Sequence, residues 1–216
     1  RDVKLVRNIT DLDAFIRFTT LCAGRIGQLL NLSELASDAG ISVNTAKSWL
    51  SVLQGSYIVF LLEPHHKNFN KRLTKMPKLY FYDTGLAASL LRIESPYQVT
   101  TYHNRGGLFE NLVVGEFLKH LYNQGRRNNL YFWRDHRGRE IDLVVEQGDQ
   151  LTPIEIKSGK TIATDFFKEL RFWNELTGNK RDNTFLVYGG EKGQKRKHGR
   201  AFSWRQLPEA VDAVFN

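Results

Sequence analysis

Three runs of β-type residues, Leu130 to Arg134, Glu140 to Glu146 and Thr152 to Lys157, follow one another with only short polar connections. The last two are joined through Gly148-Asp149. A helical pattern precedes them from Leu108 to Tyr122, with Phe109, Leu112, Val113, Phe117 and Leu121 as its apolar stripe. Another follows from Asp165 to Leu176, with Phe166, Leu170, Trp173 and Leu176 on one side. Thr184 to Tyr188 supplies a fourth strand. Pro208 begins a last helix, where a first-position proline is tolerated. The order αβββαβ predicts an α/β domain over residues 96–216. The chain contains no internal repeat and no low-complexity segment.

Residues 1–95 read as a separate, mainly helical domain, which makes the chain α+β overall. Leu12, Phe15, Ile16, Leu21 and Ile26 suit an amphipathic helix or two. The stretch from Leu32 to Leu53 then reads as helix, tight turn, helix. Ser33 can cap the first helix, Gly40 can end it in a left-handed conformation, and Ser42 can cap the second. Val43, Ala46, Trp49, Leu50 and Leu53 recur at spacings of three and four and form a candidate buried stripe. The opposite side carries Asn44, Thr45, Lys47, Ser48 and Ser51, groups able to reach phosphates or base edges. Tyr57 to Leu62 and Lys78 to Tyr82 read as two strands with a basic run between them, which is a winged-helix plan with the basic run on the wing. A short helix is expected from Leu86 to Leu91, and residues 94–105 read as a connector.

The 216 residues are 41% hydrophobic and 25% charged, the balance of a globular chain rather than a disordered one. No apolar run approaches the roughly 20 residues that cross a bilayer, so no membrane partner is expected. The opening Arg1-Asp2-Val3-Lys4 has neither an apolar core nor a cleavage site. It also lacks Met, which points to a piece of a longer protein. Cys22 is the single cysteine, so an intrachain disulfide framework and a cysteine zinc site are excluded, and a cytoplasmic location is expected. The six histidines show no metal-binding spacing.

The net charge of +8 favours an anionic partner, with nucleic acid the commonest. Three basic runs stand out: His65 to Lys78, Arg126 to Arg139 and Lys192 to Arg200. Any single run is usually a solvated loop. Together they point to phosphate contacts on DNA, for which Asn44, Thr45, Lys47, Lys71, Arg72, Lys75, Arg134 and Arg137 are the candidates.

Alternation along the strands puts Ile141, Leu143 and Val145 on one face and Glu140, Asp142 and Val144 on the other. In the next strand Glu155 and Lys157 oppose Ile154 and Ile156. If the strands pair with apolar faces aligned, Asp142, Glu155 and Lys157 project together, and Glu110 stands at the margin of the preceding helix's stripe. Crowded carboxylates repel, and burial raises their pKa values. A divalent cation relieves both effects. Oxygen ligands favour Mg²⁺ or Mn²⁺, and such an ion activates water against a phosphodiester. Glu-x-Lys alone is usually a solvated cross-strand ion pair, so the weight rests on the whole set.

Glu110, Asp142 and Glu155-Ile156-Lys157 resemble the motif of the PD-(D/E)XK, or restriction-endonuclease-like, superfamily. Ile141 stands where the superfamily's name has proline, and no Gln-x-x-x-Tyr follows Lys157. A wider resemblance runs through Lys78 to Leu86, Gly107 to Asn111, Tyr131 to Arg134, Glu140 to Asp142 and Pro153 to Ser158. These segments are similar to the C-terminal domain of a bacterial and archaeal AAA-type ATPase family, in which a P-loop ATPase module precedes this region. The present chain contains no Gly-x-x-x-x-Gly-Lys-Ser/Thr. The resemblance implies Asp142, Glu155 and the Ile156 carbonyl as metal ligands, Glu110 acting directly or through water, and Lys157 as the catalytic lysine. Two functions stay open: a divalent-metal-dependent DNA nuclease, or a non-catalytic DNA-binding or docking module serving the ATPase.

Overall fold

The computed structural model describes residues 9, 11–65 and 74–215. The chain divides into two compact units. One comprises residues 1–61 and 76–111, the other residues 62–75 and 112–216.

The first unit opens with helix α1 (Leu12–Gly24), whose N-terminal Ala14 amide donates to the Asp11 carboxylate at 2.9 Å. Its buried stripe is Ala14, Phe18 and Cys22, each four residues apart. Leu12 and Ile16, expected on that stripe, are 64% and 50% exposed, because the helix turns its smaller and aromatic face inward. Helix α2 (Leu32–Ala39) starts two residues earlier than a Ser33 cap implies. Its cap is Asn31, whose side chain accepts from the Glu34 amide, and not Ser33. Gly40 ends it at φ +71°. Helix α3 (Val43–Gly55) is capped as expected by Ser42, which accepts from the Thr45 amide at 3.0 Å. Ala46, Trp49, Leu50, Val52 and Leu53 are buried, whereas Val43 is 46% exposed because the helix's first turn stands clear of the core. Phe15 and Phe18 meet the Trp49 ring edge-on, with centroids 5.3 and 5.8 Å away, and this binds α1 to α3.

Strands β1 (Val59–Leu62) and β2 (Lys78–Phe81) form a two-stranded sheet. Asp83 caps helix α4 (Thr84–Leu90). The expected connector holds a short helix, α5 (Pro96–Thr101), fixed by a capping box between Ser95 and Gln98. Helix α6 (Arg105–Asn123) begins in the first unit and ends in the second.

The second unit is built on β3 (Leu130–Arg134), β4 (Glu140–Gln147), β5 (Gln150–Lys157), β6 (Phe185–Tyr188), β7 (Gln194–Arg196) and β8 (Gly199–Ser203). They form one mixed sheet in the order β3-β4-β5-β6-β8-β7. β3, β4 and β5 run antiparallel. β5–β6 and β6–β8 are parallel, and β7–β8 closes as an antiparallel pair. The chain is therefore mixed α/β, as expected, with two more strands than the sequence reading counted. Helices α7 (Lys168–Thr177) and α8 (Leu207–Phe215) complete the unit. Trp133, Ile141, Val144, Leu170, Trp173 and Leu186 pack in one buried cluster. Strict alternation would put Ile141 and Val144 on opposite faces. A β-bulge reconciles them: Tyr131 faces Val144 and Trp133 faces Ile141, so one residue of β3 lies opposite both Asp142 and Leu143. Among the described residues no helix is long and apolar enough to cross a membrane.

Candidate metal centre

The β4–β5 hairpin turns through Gly148 at φ +60° and its ladder runs from Gln147↔Gln150 to Leu143↔Ile154. Beyond that pair Asp142 takes over from the ladder. Its Oδ2 accepts a hydrogen bond of 2.8 Å from the Ile156 backbone amide. The bulge therefore falls at the residue whose side chain crosses to the next strand, a common place for a bulge to re-aim a side chain.

Glu155 follows on β5 and is only 3% exposed. The Lys157 ammonium donates to Glu155 Oε1 and stands 3.5 Å from Asp142 Oδ2. Among the described residues, Glu155 Oε2 is buried without a hydrogen-bond partner. An orphaned carboxylate oxygen at this depth is costly unless something binds it. Burial pushes the Glu155 carboxyl well above the usual carboxylate range. The Asp142 and Glu140 charges push the same way, and Lys157 opposes them. Glu140 brings a carboxylate oxygen within 4.8 Å of one from Asp142 and accepts from Arg134 Nη1 at 3.1 Å. Asp142, Glu155, Ile156 and Lys157 are thus brought together at one end of two neighbouring strands.

Glu110 belongs to the first unit. There its Oε1 accepts from Lys78 Nζ at 2.7 Å and from the Tyr80 hydroxyl at 2.5 Å. Lys78 is buried, with 2% exposure. Gly27, at φ +74°, makes room: a Cβ there would stand 3.3 Å from Glu110 Oε2. Next to it, Asn111 pairs with the Phe81 backbone, accepting from its amide at 2.7 Å and donating to its carbonyl at 3.0 Å. Sequence reasoning missed Lys78, Tyr80, Asn111 and Glu140 as parts of this machinery. The available signal was the spacing of Lys78 and Tyr80, two apart on one strand face.

The candidate DNA-contacting residues fall in both units. Asn44 and Lys47 are exposed on α3. Thr45 is half-buried, and its hydroxyl bonds the Ser42 hydroxyl at 2.8 Å. Lys75 is exposed, while Lys71 and Arg72 lie outside the described residues. Arg137 is exposed in the turn between β3 and β4, and Arg134 is paired with Glu140. The flanks of the expected wing engage β3: the His65 amide donates to the Phe132 carbonyl at 2.7 Å, and the Thr74 amide to the Arg134 carbonyl at 3.2 Å. Cys22 is buried as expected for a core thiol.

Residues 1–97 match a domain of unknown function, DUF8612, and residues 105–207 match another, DUF4143. The chain is 32% identical over 175 residues to "Uncharacterized protein Rv2008c" of Mycobacterium tuberculosis and to "Uncharacterized protein Mb2031c" of Mycobacterium bovis. The matched stretch covers 81% of this chain and 38% of each relative. No solved structure matches the chain.

Proposed function

We propose that the second unit is a divalent-metal-dependent phosphodiesterase acting on DNA, within the C-terminal region of an AAA-type ATPase. The observation that carries this is the unpartnered, buried Glu155 Oε2 beside Asp142 and Lys157. The donor set fits a hard cation, being carboxylate oxygens with the Ile156 carbonyl adjacent. Asp142 and Glu155 with that carbonyl would hold Mg²⁺ or Mn²⁺, and Glu110 is the further acid that the resemblance implies. When bound, such an ion supplies a Lewis acid and a water of lowered pKa. Asp142 contributes an orientation already set by the Ile156 amide. Lys157 contributes a cation able to stabilise charge on a phosphate oxygen in the transition state. The first unit is read as a winged helix, on the support of α2, the Gly40 turn, α3 and the two strands that follow.

The test is incubation of the chain with DNA and Mg²⁺ or Mn²⁺. Cleavage is expected, and Lys157→Ala should abolish it without loss of fold. Cleavage that persists in that variant comes from a contaminant and contradicts the proposal. One observation favours the second reading, a DNA-binding or docking module: Lys157 already pairs with both carboxylates. That reading expects salt-dependent DNA binding without cleavage.

A further inference from the structure

The edge of the sheet formed by β7 and β8 carries a dense positive surface. Lys195 lies directly opposite Arg200 across the β7–β8 ladder, and all three residues of β7 are exposed. Like charges in direct cross-strand register destabilise a sheet. Arg181 enlarges the group, lining one shallow cleft with Lys195 and Arg200. Asp182 lines the same cleft. Among the described residues neither it nor any other acid is within ion-pairing distance of these three cations, while nearby Glu191 is committed to Arg205. Burial lowers the pKa of the His198 imidazole at the hairpin tip, and the charges of Arg171, Lys197 and Arg181 lower it further. That is the effect of a positive field on a group it discourages from protonating.

Basic residues on an edge strand can serve merely to stop edge-to-edge pairing. That role does not account for Arg181, which lies outside the strand, while Arg200 also lies over the Phe202 ring, 4.9 Å from its centroid. An anionic lipid surface is a poor fit, because Gln194 to Arg200 contains no apolar side chain to insert. We propose that the β7–β8 hairpin with Arg181 is a binding surface for the phosphodiester backbone of nucleic acid, separate from the Asp142–Glu155–Lys157 cluster and independent of any metal there.

The test uses the full chain in EDTA, so that failure of the hydrolytic proposal leaves it untouched. Fluorescence anisotropy with a labelled DNA duplex measures affinity across a salt series. The variant Arg181→Gln/Lys195→Gln/Lys197→Gln should bind about tenfold more weakly at low salt and flatten the log–log salt slope by about 2–3. A variant with the same charge loss elsewhere, Arg92→Gln/Arg105→Gln/Lys119→Gln, should bind as the parent does. Equal losses in both variants, or none in the first, overturn the proposal. So does binding to phosphatidylserine vesicles without binding to DNA.

Discussion

The Asp142 carboxylate accepts a hydrogen bond from the Ile156 backbone amide at 2.8 Å, so a side chain of β4 completes the edge of β5 where the regular ladder stops. Removing the acceptor strands a buried amide. Asp142→Ala should therefore cost about 1–3 kcal/mol in denaturant unfolding. Asp142→Asn keeps an acceptor and should lose less than half as much. Equal losses would mean that the bond does not hold the strands.

The Lys78–Glu110 pair makes a separate expectation. Breaking a fully buried pair costs about 3–5 kcal/mol. Glu110 is half-buried, so Lys78→Met should cost about 2–3 kcal/mol by thermal or chemical denaturation. Adding Glu110→Gln to that variant should restore part of the loss, because the uncompensated carboxylate is removed. An additive double variant would contradict the coupling.

Gly27 adopts φ +74° against Glu110 and the Gly107 backbone. Gly27→Ala should cost about 1–2 kcal/mol through the left-handed conformation alone. A neutral effect on the melting temperature would show that the backbone there relaxes freely.

Much of the core architecture was legible from the residues. The three strands from Leu130 to Lys157 and the flanking helices follow periodicities of two and 3.6. Leu143 faces Ile154 as the alternation predicts, but beyond that pair the bulge moves Ile141 to the Val144 face, and Asp142 meets Lys157 and the Ile156 amide from there. The β7–β8 hairpin escaped because Gln194-Lys195-Arg196 is wholly polar and exposed, leaving no alternation to read. The bulge at Asp142 is invisible in the sequence, since it is set by pairing with a distant strand. The clamp of Lys78 and Tyr80 on Glu110 joins residues some 30 positions apart, beyond any local pattern.

Burial pushes the Cys22 thiol up to about 12, with Arg25 opposing weakly. The unfolded thiol ionises near pH 8.5. The native state thus retains its proton where the unfolded state has lost it, and this site's contribution to stability falls as pH rises from about 8.5 towards 12. At pH 8 the native chain should not react with a disulfide reagent such as DTNB, and reaction should appear only on unfolding. Fast labelling of the folded chain would contradict the buried placement.

Direct measurement of divalent-ion binding decides the account of Asp142 and Glu155. Isothermal titration with Mn²⁺ should find a site on the parent chain. Glu155→Gln and Asp142→Asn should each weaken it by at least about tenfold, the scale seen when parts of a metal site are removed. Lys157→Ala should leave binding intact or strengthen it, because it removes the cation that competes for the same oxygens. No binding by the parent chain, or binding indifferent to both carboxylate substitutions, would contradict a metal centre at the end of β4 and β5.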